Sequence, residues 1–122
     1  MNQTHVFSHS PVKASDFIGT SVVDQKNESL GDIKEVVIDR SSGRVAYAVV
    51  AFGGFLGMGE KLFAIPFSAF KFNQADNEYV LNITKARLKD APGFDPAHWP
   101  SMGEEKWNRD VHKYYELSPY WE

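Results

Sequence analysis

The run RVAYAVVAF, Arg44–Phe52, has no polar residue on either alternating set of positions after its first arginine. Successive side chains of a strand point to opposite sides, so Val45, Tyr47, Val49 and Ala51 fall on one face and Ala46, Ala48, Val50 and Phe52 on the other. Such a strand has no side to offer to water. One face can line a closed β core in a chain of 122 residues; the other must be covered by a further segment or by a second subunit.

Working back from this run, SSG (Ser41–Gly43) reads as a hairpin loop closed by a left-handed glycine. LGDIKEVVIDR (Leu30–Arg40) is the preceding strand. Its alternation slips, with Ile33 and Val37 on one parity and Val36 and Ile38 on the other, which predicts a bulge near Lys34–Glu35 or burial on both faces. DQKNES (Asp24–Ser29) is a polar turn, and FIGTSVV (Phe17–Val23) a short strand. Met1 to Ala14 is polar and aperiodic and reads as a flexible arm. His5 and His9, four apart within it, would share a face only on a helix, and Pro11 argues against one; we read them as solvated rather than as metal ligands.

Working forward, the chain enters FGGFLGMGEK (Phe52–Lys61). Gly54 and Gly59 have the spacing of a phosphate-binding loop, but Glu60 stands where its lysine belongs and Leu62 where its hydroxyl residue belongs. The next segment is β-like, so no helix N-terminus would face a phosphate. The loop is therefore a connection between strands. Its Phe55, Leu56 and Met58 are expected to pack on the barrel end or on a partner, with a small-ligand mouth there as a further possibility. KLFAIPF (Lys61–Phe67), AFKF (Ala69–Phe72) and EYVLN (Glu78–Asn82) complete about six short strands, with NQAD (Asn73–Asp76) as a turn, and hairpin spacing favours a small antiparallel barrel.

The pattern changes after Ile83. Thr84 caps a short helix before Pro92, and Phe94-Asp95-Pro96 opens another turn, with Asp95 as cap and Pro96 at the first helical position. Ser101 and Glu104 match a capping box. Trp107, Val111, Tyr114 and Tyr115 follow at i, i+4, i+7 and i+8, one stripe of an amphipathic helix that Pro119 stops. With Trp99, Tyr120 and Trp121 they make a dense aromatic set. It is expected to cover the outer face of Arg44–Phe52, in its own chain or across a dimer. Trp and Tyr are also the residues enriched at binding hot spots.

Composition bounds the rest. The chain is 43% hydrophobic and 24% charged, which suits one folded domain, and its net charge of −3 argues against a dedicated nucleic-acid binder. The absence of cysteine excludes disulfides, thiolate metal sites and a thiol nucleophile. The start carries no apolar signal segment, and no run approaches the ~18–20 apolar residues of a membrane span, so a cytoplasmic protein without membrane insertion is the expectation. His98 and His112 read as surface histidines, no G-x-S-x-G surrounds a serine, and Asp32, Glu35 and Asp39 match no calcium loop. No catalytic residue, cofactor site or metal site is expected.

From Ile18 to Phe70 the chain resembles the PRC-barrel domain, shared by the cytoplasmic part of the photosynthetic reaction-centre H subunit and by a ribosome-maturation factor. The likeness rests on Gly19, Leu30-Gly31, VVID through Gly43, the apolar third strand, the glycine loop and KLFAIPF with Pro66, and extends into LKDAPGFD (Leu88–Asp95). It implies a barrel of about six strands without shared catalytic residues. The layout expected is an arm (1–14), a barrel (15–83) and a helical, aromatic-rich extension (84–122). The function expected is a non-enzymatic interaction or adaptor module, homodimeric, with an unidentified protein partner and an interface drawn from Phe55, Leu56, Met58, Trp107, Tyr114, Tyr115, Tyr120 and Trp121. The alternative is an accessory factor in RNA metabolism or ribosome maturation that acts through a ribosomal protein.

Overall fold

A computed structural model describes residues 8–53 and 59–122. The apolar loop residues Phe55, Leu56 and Met58, and His5, lie outside the described residues.

The chain forms a six-stranded sheet: β1 (Ser21–Val23), β2 (Ser29–Ile38), β3 (Val45–Gly53), β4 (Glu60–Pro66), β5 (Phe70–Asn73) and β6 (Glu78–Leu81), in the spatial order β4-β3-β2-β1-β6-β5. Short helices α1 (Ala14–Phe17), α2 (Lys85–Lys89) and α3 (Glu105–Tyr114) complete it. This is the mainly β architecture expected. One ladder, β1 with β6, is parallel; the others are antiparallel. Laid flat, six strands would separate β4 from β5 by about 24 Å. A single turn of 3-10 helix, Phe67–Ala69, connects them, and that connection reaches at most roughly 14 Å even when extended. The sheet must therefore curl until its two edges meet at this corner. No ladder joins β4 to β5 among the described residues, so the barrel has a seam there.

Local chemistry accounts for the turns. Asp39 accepts the Ser41 N–H at 2.8 Å and Gly43 takes φ +77°, which closes the β2–β3 hairpin. The bulge expected near Lys34–Glu35 is present, since the register shifts between Ile33 and Glu35. It allows both Ile33 and Val36 to face the barrel interior. Gly31 sits where the Ala51 backbone leaves no room for a side chain: a Cβ there would lie 2.1 Å from the Ala51 carbonyl oxygen. Thr84 caps α2 as expected, its Oγ1 accepting the Arg87 N–H at 3.1 Å.

Four sequence expectations are corrected. Phe17 does not begin β1; it ends the helical turn α1, and its buried ring packs edge-on against Phe67 and Tyr79. A second register shift, between Val37 and Ile38, moves Ala46 to the same side as Tyr47 and Val49, away from Ala48 and Val50. Asp95 caps only one turn, accepting the Ala97 N–H at 2.8 Å, and no helix follows. The capping box does not form: Ser101 contributes its backbone carbonyl to the Glu104 N–H, and α3 starts at Glu105 without a side-chain cap.

Both faces of β3 are buried, from Ala46 to Val50 without a break. The inner face joins Ala48 and Val50 to Phe63, Ile65, Leu30 and Leu81. The outer face joins Ala46, Tyr47 and Val49 to Leu62, Ala64 and Val111. The cover over that outer face is the chain's own C-terminal extension.

Candidate functional site

The extension reaches the barrel along the free edge of β4. Leu62 and Phe94 exchange N–H···O=C bonds at 2.8 and 2.9 Å, an isolated antiparallel bridge. Gly93 makes this possible, because a Cβ would fall 2.7–2.9 Å from Lys61, Phe63 and the Leu62 carbonyl. The bridge also occupies part of an otherwise open sheet edge. From there the chain passes Met102 and lays α3 over β4 and β3.

Tyr47 is the hub of the contact. Its ring meets Trp107, His112 and Tyr120 edge-on, with centroids 5.2, 5.5 and 6.1 Å away. Its hydroxyl donates to Asn108 Oδ1, and Asn108 Nδ2 donates to the Met102 and Glu104 carbonyls at 2.8 Å each. One asparagine thus pins β3 to the start of α3. Burial, and secondarily Tyr120 nearby, pushes the Tyr47 hydroxyl well above the usual tyrosine range.

The chain end is latched to the β2–β3 hairpin. Tyr120 donates its hydroxyl to Asp39 Oδ2 at 2.6 Å, and Arg44 donates to the Tyr120 carbonyl at 2.6 Å. The Tyr120 hydrogen bond, with the Ser41 N–H, holds the Asp39 carboxyl below its ordinary value. Partial burial, then the bond to Asp39, pushes Tyr120 up to about 12. Beyond it, Trp121 lies under the Arg109 guanidinium at 5.4 Å, and Arg109 reaches Glu105 at 2.6 Å and Glu122 at 3.0 Å.

His112 is not a surface histidine: it is 1% exposed. Its Nδ1 faces the Asn108 carbonyl at 2.8 Å, so this nitrogen carries the proton, and its ring packs edge-on against Tyr47 and Trp121 and tilted against Tyr120. Asn108 and His112, four apart, widen the buried stripe of α3 beyond the aromatic positions. Their i, i+4 spacing beside Trp107 and Val111 is the signal that reveals them; read as polar, they look exposed.

Trp107, Tyr115 and Tyr120 pack on the outer cluster, while Tyr114 and Tyr115 also reach the inner one. Tyr114 donates its hydroxyl to the Arg87 carbonyl at 2.5 Å, and Arg87 covers its ring at 4.7 Å. Trp99 packs against Phe94 with the rings tilted by 55° and their centroids 4.8 Å apart. The interface candidates of the extension are thus largely engaged within the chain. Trp121 packs on His112 and under Arg109 yet stays 39% exposed, and with Ile38, 54% exposed, it borders a surface cleft of about 850 Å³ floored by Ala46, Tyr47 and Tyr120. No group of three or more His, Asp or Glu side chains suited to a metal ion occurs among the described residues, and none of their helices is long and apolar enough to cross a membrane.

A curled six-stranded sheet with one seam, strapped by its own C-terminal helix, is the class of fold these observations define. The PRC-barrel domain family matches residues 11–88, more than half of the chain, and the chain belongs to that family. Among curated proteins none matches. Solved structures do match, among them a putative 16S ribosomal RNA processing protein, RimM, from Pseudomonas aeruginosa, at 16% identity and a TM-score of 0.41. That likeness covers 62% of this chain and 45% of the other.

Proposed function

We propose that this PRC-barrel protein is a non-enzymatic, cytoplasmic interaction module whose contact surface is the rim of the cleft between α3, the chain end and the β2–β3 hairpin. The observation that carries the reading is the pair Ile38 and Trp121, large apolar side chains that remain partly exposed and border the same cleft as Tyr47 and Tyr120. A tryptophan beside a concave surface is the residue type that most often dominates binding energy. His112 supports a structural rather than a catalytic reading, since packed rings and the Asn108 carbonyl surround it.

The homodimer expected from an uncovered β3 loses that motive, because the extension covers the face in the same chain. A dimer would now use the cleft rim. Light scattering coupled to gel filtration of the wild type and of Trp121→Ala with Ile38→Asp tests this: a dimer mass that falls to a monomer mass in the variant places the contact on the rim. Capture from native-cell extract tests the adaptor reading. A protein retained by the wild type and lost by the double variant supports it; equal retention by both removes the rim as the contact. The family resemblance favours a ribosomal protein as a second reading of the partner, and co-sedimentation with ribosomal subunits at low salt discriminates.

A further inference from the structure

His112 lies where three elements meet: α3, which carries it, β3 through Tyr47, and the chain end through Tyr120 and Trp121. Its Nδ1 proton is committed to the Asn108 carbonyl, and Asn108 is also the residue that receives the Tyr47 hydroxyl. Its Nε2 is buried and has no hydrogen-bond partner among the described residues. In the neutral ring that atom is an acceptor without a donor. In an imidazolium it would be an N–H without an acceptor.

The surroundings offer a second proton no compensation. On β3 the Tyr47 hydroxyl is spent on Asn108. On the β2–β3 hairpin, Asp39 accepts from Tyr120 and from the Ser41 N–H, and Arg44 donates to the Tyr120 carbonyl. At the chain end, Glu122 is paired with Arg109, and before it Glu116 with Arg87. On α3 itself, Glu105 is paired with Arg109 and Asp110 with Lys106, while Lys113 adds a positive charge. Aromatic faces attract a cation, but weakly beside the cost of taking a full charge out of water. The closed strap therefore holds a neutral imidazole. A released strap exposes the ring to water, where it takes up a proton in the ordinary range, near about pH 6.5. By linkage the state that binds the proton gains as the pH falls: closure is complete above about pH 6.5 and weakens below it.

We propose that His112 is an acid-sensitive catch of the strap: its protonation releases α3 and the chain end and uncovers the apolar outer face of β3 and β4, Ala46, Tyr47, Val49, Leu62 and Ala64. Among the described residues the inner cluster holds no histidine, so acid in this range acts on the strap and not on the barrel. Release also takes Tyr120 and Trp121 away from the cleft beside Ile38, so a partner held there would leave in acid. That consequence rests on the adaptor reading; the release itself does not.

Amide hydrogen exchange of the full chain, converted to opening constants at pH 7.5, 6.5 and 5.5, tests the catch. The α3 opening constants are expected to rise about tenfold between pH 7.5 and 5.5, with those of β2, β3 and β4 unchanged. His112→Phe, which keeps a ring in place and takes no proton, is expected to abolish the rise, whereas His98→Gln, at an exposed histidine, keeps it. The His112 ring signals of the wild type in NMR give a reading that needs no variant: protonation is expected only together with loss of α3 protection. The proposal is overturned by α3 opening constants that do not change with pH, by a rise that survives in His112→Phe or disappears in His98→Gln, by an equal rise in the barrel strands, or by protonation of the His112 ring while α3 stays protected.

Discussion

The two faces of β3 are buried by different means. On the inside, Ala48 and Val50 meet side chains that span the chain from Phe17 to Ala91, all of them apolar. On the outside, Tyr47 and Val49 meet a single strap, and that contact is threaded with hydrogen bonds: Tyr47 to Asn108, Tyr120 to Asp39, Arg44 to the Tyr120 carbonyl. Packing inside a curled sheet is fixed by the strand ladders, so shape alone positions the side chains. Among the described residues the strap has only one ladder contact, at Leu62 and Phe94, and non-directional burial would let it slide. The directional bonds set where it stops. The inner core therefore determines whether the barrel exists, and the outer contact determines where the extension sits.

The largest effect is expected on the inside. Phe63→Ala empties a fully buried ring position between Phe52 and the core and should cost about 3–5 kcal/mol in urea unfolding, with barrel and strap lost together. A loss confined to α3 would mean that the two faces fold separately.

The outer contact breaks by smaller steps. Tyr47→Phe keeps the ring packing but leaves Asn108 Oδ1 without its donor, and should cost about 1–2 kcal/mol. Hydrogen exchange should show faster opening of α3 amides with the β2 and β3 amides little changed. Equal acceleration of both would contradict the division between the faces.

Much of this contrast is legible in the sequence, for reasons specific to each residue. Tyr47's strand shows two buried faces because no polar residue interrupts it, and the extra residue at Lys34–Glu35 shows because it breaks a two-residue period. The shift that brings Ala46 to the outer side is silent, since alanine suits either face. The parallel pairing of β1 with β6 is silent too: three- and four-residue strands carry no record of their neighbours, and only the curl brings Val22 beside Tyr79. Within the candidate site the aromatic stripe of α3 is visible. The residues that pin it, Asn108 and His112, are marked only by their spacing beside Trp107 and Val111, because polar side chains read as solvated until a partner such as the Tyr47 hydroxyl is placed against them.

The latch at the chain end predicts an alkaline transition. Tyr120 is neutral when protonated, and its folded value is pushed from the ordinary 10 up to about 12. Its contribution to stability is therefore complete below about pH 10 and lost as the pH rises from there toward about 12. Tyr47, Tyr79 and Tyr115 shift in the same direction, chiefly through burial. Tyrosinate absorbance should lag behind that of free tyrosine and rise together with the loss of near-ultraviolet circular dichroism. Titration near pH 10 with the dichroism intact would show that Tyr120 is not latched. Asp39 acts at the opposite end: its carboxyl is held low by the same bond, so that contribution is present at neutral pH and lost only as acid protonates it.

The smallest effect is expected where the ion pairs look most numerous. Arg109 bonds Glu105 at 2.6 Å and Glu122 at 3.0 Å and covers Trp121, yet every charged partner is on the surface, with side chains 45–68% exposed. Water and salt screen such pairs, and holding long side chains in one geometry costs entropy that offsets most of the attraction. Arg109→Gln should therefore leave the urea unfolding midpoint nearly unchanged at low salt and change it even less in high salt. Guanidinium unfolding would mask the difference, since the denaturant is itself a salt, so urea titrations at two ionic strengths are the measurement. A salt-sensitive loss as large as that of Tyr47→Phe would mean that the strap is held by its charges, and that the Tyr47–Asn108 and Tyr120–Asp39 bonds follow its placement rather than determine it.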